Sequence, residues 1–221
     1  MVALSVAFFS LTAFTQASAL DDPESVDPEE LQPEIVETYE ELQEQINEIL
    51  NNTDGGVQIS DNEIAWDGGE VIMSLPLPGQ VEAPPSSPEA IRLQAQISGV
   101  PLAEVLEAAA SNIELAASDS CPTEVFGNDW YCFYQHPHYE GRRLQWNARK
   151  LNMVYFSAYD FVNKTSSWSN RGGKIIYVYG RTKSGDDSSC NNSLWIEMPK
   201  ERLAIVPKSL DNRADCFRTG E

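Results

Sequence analysis

The chain has 221 residues with 34 Asp+Glu against 15 Lys+Arg, a formal net charge of −19, a length that suits one domain plus a sizeable leader or two small domains. Residues 1–120 carry 23 of the acids and a single base, Arg92, whereas residues 121–221 carry 11 acids and 14 bases, so the acidity belongs to the first half, as in an acidic tail or linker joined to a compact domain. This balance gives no surface for nucleic acid.

Met1 to Ala19 is an apolar run closing on Ala17-Ser18-Ala19, the small-x-small pattern of a signal peptide cleaved between Ala19 and Leu20. No Lys or Arg precedes the run. It is short and broken by Ser and Thr, which argues against a stable membrane anchor. Residues 20–32 are Asp, Glu and Pro with little to bury, the composition of a disordered stretch. From Pro33 to Leu50, the apolar residues Ile35, Val36, Tyr39, Leu42, Ile46, Ile49 and Leu50 recur at three- and four-residue steps, one stripe of an amphipathic helix. Then Glu63 to Trp66 and Val71 to Leu75 flank Asp67-Gly68-Gly69, a hairpin pattern. These pieces make up an expected segment 20–75, an acidic helix plus hairpin.

Residues 76–120 are expected to be a Pro-rich linker followed by short helices. Ser87-Pro88-Glu89 is a helix start with Ser as cap and Pro in the first turn, and Gly99-Val100-Pro101 divides two helical runs. Beyond residue 120, strands are expected at Trp130 to Tyr134, Arg143 to Trp146, Lys174 to Tyr179, Leu194 to Glu197 and Leu203 to Val206. Short strands at this spacing suit a β-sandwich or barrel. All four cysteines, Cys121, Cys132, Cys190 and Cys216, lie here. An even count in an exported chain favours two disulfides. Because each pair flanks one half of the region, Cys121 is expected to join Cys132, and Cys190 to join Cys216. No Cys-x2-Cys spacing supports zinc instead.

In Tyr134-Gln-His-Pro-His-Tyr139-Glu-Gly141 an aromatic is followed five residues later by another, and two after that by glycine. A strand that folds sharply back needs the positive φ that glycine supplies, with the aromatic pair packed over the bend. Downstream, Asn163-Lys-Thr-Ser166-Ser167 sets an amide and hydroxyls on one loop. The two elements resemble the βγ-crystallin Greek-key motif. With Cys-Pro, Trp-Tyr-Cys-Phe-Tyr, Gly-Arg-Arg-Leu-Gln-Trp and Lys-Thr-Ser-Ser-Trp-Ser-Asn in order, residues 121–221 resemble the Streptomyces-type metalloproteinase inhibitor family.

The resemblance implies an all-β, βγ-crystallin-like Greek-key sandwich over residues 121–221, preceded by a mostly helical or disordered acidic extension with a β-hairpin. It implies a secreted inhibitor of zinc metalloendopeptidases that binds by placing a loop in the cleft non-covalently, with an extracellular protease as partner. The acidity of the first half reads as solubility and self-repulsion, or as a pro-region that screens the mildly basic domain until it is removed. The family's inhibitory loop finds no residue-by-residue match, and Arg181 to Ser189 is a candidate exposed loop on its polarity.

In the second copy, Asp211-Asn212-Arg-Ala-Asp215-Cys216 stands in the place of the Asn/Ser word, but Lys183 stands two residues before Gly185 where an aromatic is expected. No cofactor is required, and calcium is the one that the resemblance allows, with Asn163, Ser166, Asp211 and Asn212 as its weak-affinity ligand candidates. The alternative for these residues is that they bond their own loops. His136 and His138, around Pro137, read as surface-loop residues. The sequons at Asn51, Asn163 and Asn191 matter only in a glycosylating host. No nucleophile elbow, phosphate loop or His-Glu-x-x-His is present, and Asp21-Asp22 and Asp186-Asp187 lie in polar surroundings, so no enzyme is expected. A calcium-stabilised structural or cell-surface binding module is the second functional class.

Overall fold

The computed structural model describes residues 35–112, 119–122, 130–147 and 152–220. The expected signal peptide, its expected cleavage between Ala19 and Leu20, and the stretch 20–32 lie outside the described residues.

The first helix, α1 (Tyr39–Asn52), starts at Thr38 because a reciprocal cap forms there. The Glu41 N–H donates to Thr38 Oγ1 at 3.2 Å and the Thr38 N–H donates to Glu41 Oε2 at 3.1 Å. The helix therefore begins at Tyr39 rather than at Pro33, where the expected stretch began. Leu42, Ile46 and Ile49 form its buried stripe.

Among the described residues eleven strands follow: β1 (Val57–Ser60), β2 (Glu63–Trp66), β3 (Val71–Ser74), β4 (Tyr131–Tyr134), β5 (Arg143–Trp146), β6 (Val154–Tyr155), β7 (Ser167–Asn170), β8 (Ile176–Arg181), β9 (Cys190–Glu197), β10 (Arg202–Leu203) and β11 (Cys216–Thr219). Helices α2 (Pro88–Ser98) and α3 (Leu102–Asn112) lie between β3 and β4. Ser87 caps α2, and Gly99 ends it in the left-handed conformation.

The strands form a seven-stranded sheet in the order β1-β2-β3-β5-β4-β7-β10 and a four-stranded sheet in the order β6-β11-β8-β9. Strands β4 to β7 make one Greek key and β8 to β11 another, and each sends its third strand to the other sheet. Strand β6 pairs with β11, and β10 pairs with β7. The C-terminal part is thus the β-rich, βγ-crystallin-like sandwich implied by its motifs. Tyr131, Phe133, Trp146, Phe156 and Phe217 interlock between the sheets with ring centroids 4.7 to 6.0 Å apart, half of the pairs edge to face, a geometry their quadrupoles favour.

The boundary expected at residue 120 is not a boundary of the sheet. Strand β3 pairs with β5 over four residues, from Val71 opposite Trp146 to Ser74 opposite Arg143. Leu42, Ile46 and Ile49 of α1 join Ile64, Trp66, Val71, Met73, Tyr131, Phe133 and Trp146 in one apolar cluster. Each such aliphatic side chain contributes about 1.5–3 kcal/mol by leaving water. Residues from Val36 to Leu75 are therefore part of the sandwich core, and removing them would open it. A two-stranded hairpin is marginal alone; here β1 and β5 flank the β2–β3 hairpin, and α1 shares its apolar cluster.

The linker and α2 cover part of the outer face of the large sheet, and α3 packs on α2. Ala90 and Leu93 of α2 pack on Ala65 and Ile72. Beneath the linker, Arg143 is fully buried and donates to Gln145 Oε1 at 2.9 Å, the Ala83 carbonyl at 3.2 Å and Ser74 Oγ at 3.1 Å. A buried guanidinium persists only when its donors are matched in this way. The small sheet differs: β8 alternates buried and half-buried residues, leaving its outer face to solvent. Among the described residues, no helix is long and apolar enough to cross a membrane.

Candidate functional site: the β8–β9 loop

Strands β8 and β9 pair from Ile176 opposite Glu197 to Arg181 opposite Cys190, and the chain between them, Thr182 to Ser189, stands out from the small sheet. At its base, Cys190 is bonded to Cys216 with Cα atoms 6.5 Å apart, which fastens the first residue of β9 to the first of β11. The other disulfide, Cys121 to Cys132, lies under the outer face of the large sheet. Closing loops of these separations stabilises by roughly 3 kcal/mol each in the chain-entropy model.

Arg181 forms the second tie. Its side chain is nine-tenths buried and forms an ion pair with Asp187, with Asp215 3.9 Å away. The Arg181 N–H donates to Asp215 Oδ2 at 2.6 Å. Ser157 Oγ donates to the Asp187 carboxylate at 3.0 Å. These contacts bind the loop to β8, to the turn before β7 and to the segment before β11.

Within the loop the hydroxyl of Ser189 is a hub. It accepts from the Lys183 N–H at 3.0 Å and lies 3.0 Å from the Lys183 carbonyl and 2.7 Å from the Asp186 carbonyl. The Thr182 N–H donates to the Ser189 carbonyl at 3.0 Å, and the Ser188 N–H to Asp186 Oδ1 at 3.0 Å. Gly185 turns the tip at φ +74°, a conformation that costs glycine little. A polar loop of this length gains little from apolar burial, and fixing each backbone residue costs about 1–2 kcal/mol. Its own hydrogen bonds and the disulfide supply the order. A cavity of about 210 Å³ beneath it is lined by Asn163, Arg181, Asn192, Arg213 and Asp215 among others.

The expected fold-motif residues meet as a unit. Tyr134 and Tyr139 pack edge to face at 5.3 Å, and Gly141 has φ +72°, where a Cβ would come within 2.5 Å of His136 Cδ2. Ser167 Oγ accepts from the Tyr139 N–H at 3.1 Å and donates to the His136 carbonyl at 2.7 Å, which holds the bend. Burial, helped by Arg142, pulls the His136 imidazole below its ordinary value. The His138 N–H is bonded to the Ala204 carbonyl.

The calcium candidates are only partly brought together. The two copies exchange matching bonds, Asn163 N–H to the Ala214 carbonyl at 3.0 Å and Asn212 N–H to the Thr165 carbonyl at 3.2 Å. Ser166 Oγ donates to Asn212 Oδ1 at 3.3 Å. Asp211 instead acts on His136 through its charge. On the Asn163 side the corresponding carboxylate is Asp215, already engaged by Arg181. Calcium takes six to eight oxygens, several of them anionic. A neutral hydroxyl and amide on one side, and a carboxylate facing a guanidinium on the other, do not fit it. Among the described residues, no three His, Cys, Asp or Glu converge on a point.

Sequence reasoning nominated this loop only by polarity and did not find Ser189 as its hub, nor the pairing of Arg181 with Asp187 and Asp215. Alternating Arg, Ser and Asp carries no signal of who faces whom. Residues 116–191 match Peptidase inhibitor family I36, a family of inhibitors rather than enzymes, and the matched span includes the whole β8–β9 loop. Among curated proteins none matches the chain. A solved structure titled "Evolution of the eye lens beta-gamma-crystallin domain fold" aligns at 11% identity with a TM-score of 0.35, covering 45% of this chain and 90% of that one.

Proposed function

We propose that the protein is a secreted inhibitor of endopeptidases, of the zinc metalloendopeptidase class that its motifs suggest, and that the β8–β9 loop occupies the target's cleft without a covalent bond. The observation that carries this reading is the loop itself, an exposed tip whose backbone is bonded to its own side chains and fastened at its base by Cys190–Cys216. A loop already in one conformation loses little entropy when it docks. The family match over the same residues supports an inhibitor. Two disulfides suit an oxidising compartment, in keeping with export and removal of Met1 to Ala19. Processing of the acidic segment is confined to residues before Val36, where the chain enters the core. The inhibitor reading requires no cofactor.

The test is a titration of the oxidised full chain against a panel of metallo-, serine and cysteine endopeptidases, following substrate turnover. The reading requires a sharp end point at one inhibitor per enzyme, lost after reduction of the disulfides. An intact chain that slows no member of the panel contradicts it.

A further inference from the structure

The inhibitor reading names a loop but not what its target recognises in it. Elimination along the loop leaves one side chain. Thr182 Oγ1 is turned back onto the Ser189 carbonyl at 3.2 Å. Asp186 accepts from Ser188, and Asp187 is held by Arg181 and Ser157. Ser184 and Gly185 offer almost nothing long enough to reach a pocket.

Lys183 is the exception. Its side chain is 77% exposed, and its ion pair to Asp186 at 3.8 Å is between exposed groups three residues apart, a contact that contributes little and is given up readily. Its backbone is fixed on both sides: the N–H donates to Ser189 Oγ, and the carbonyl accepts from the Asp186 N–H at 3.3 Å. In the first Greek key, the residue two before the turn glycine is Tyr139, packed on Tyr134. In the second, that place before Gly185 is taken by Lys183, whose side chain is largely exposed.

Resting on the inhibitor reading, we propose that Lys183 is the specificity residue: its ammonium group enters a pocket of the target that carries a carboxylate at its base. The partner is then an endopeptidase that cuts at Lys or Arg, and one whose pocket at this subsite is apolar is not the target. A four-carbon stem ending in a compact charge suits such a pocket, and a pinned backbone delivers it without a search through conformations.

The experiment measures inhibition constants of the oxidised full chain and of Lys183→Leu, Lys183→Arg and Lys208→Leu against two groups of endopeptidases, one cutting at Lys or Arg and one at Leu or Phe. Lys208, an exposed lysine in another turn, is the control. The wild type should act on the first group. Lys183→Leu should weaken that by at least about 30-fold, the scale of a central interface residue, while Lys183→Arg and Lys208→Leu stay within about 5-fold. Because Lys183 is exposed, all four proteins should share one melting temperature. A wild type that favours the second group, or a Lys183→Leu variant as potent as the wild type, overturns the lysine assignment and leaves the inhibitor reading standing. A wild type that inhibits neither group overturns both.

Discussion

Replacing Ile46 by Ala in α1 tests whether the N-terminal segment is part of the sandwich. Ile46 has no exposed surface and shares a cluster with Trp66, Phe133 and Trp146. Truncating a fully buried Ile to Ala costs about 2–5 kcal/mol through lost transfer energy and the cavity left behind. In a unit of this size each kcal/mol moves the melting temperature by roughly 2–4 °C, so the shift should be roughly 5–20 °C. Near-ultraviolet circular dichroism reports on the buried tryptophans of the large sheet, and far-ultraviolet dichroism reports on the helices. Both should move together in one transition. Glu44→Ala, on the exposed side of the same helix, should change stability by less than about 0.5 kcal/mol. If helix signal is lost early in Ile46→Ala while the tryptophan transition stays where it was, α1 is an appendage and the shared core is wrong.

Gly141→Ala combines a positive φ with a Cβ placed against His136, so it should lower stability by about 1–3 kcal/mol in urea titration, and an unchanged midpoint would deny the bend its strain. Burial pushes the Glu197 carboxyl well above its ordinary value of 4.5, and one of its oxygens is buried without a hydrogen-bond partner. The folded state therefore holds a proton that the unfolded chain releases, so the stability from this group is complete below pH 4.5 and is lost as pH rises towards the folded value. Glu197→Gln should accordingly gain on the wild type as pH rises, with the smallest difference in acid; a gap that shrinks with rising pH would reverse the sign. Calcium at about 5 mM should leave the melting temperature unchanged relative to chelator, since a ligand stabilises only the state that binds it. A rise of several degrees would show that Asp215 can leave Arg181.

What the sequence disclosed follows the range of the interactions. The Tyr134, Tyr139 and Gly141 bend, the Ser87 cap and the β2–β3 hairpin are set by neighbours within a few residues, and all are legible as words. The pairing of β3 with β5 joins residues about seventy positions apart, and no local pattern distinguishes that partner from solvent. Hence a continuous sheet looked like a domain and an extension. The Pro-rich run from Pro76 reads as a linker by composition, yet its Ala83 carbonyl meets the buried Arg143. The site shows the same limit in reverse. Lys183 in the place of an aromatic is visible as a departure from the Greek-key pattern, but only the structure shows Ser189 and Arg181 holding the loop that presents it.

Hydrogen–deuterium exchange of the oxidised full chain, alone and saturated with an endopeptidase that it inhibits, tests the central claim most directly. The account predicts new protection concentrated at Thr182 to Ser189, with the amides of α1 and α2 unchanged. Protection confined to other surfaces, with this loop exchanging as in the free protein, would contradict it.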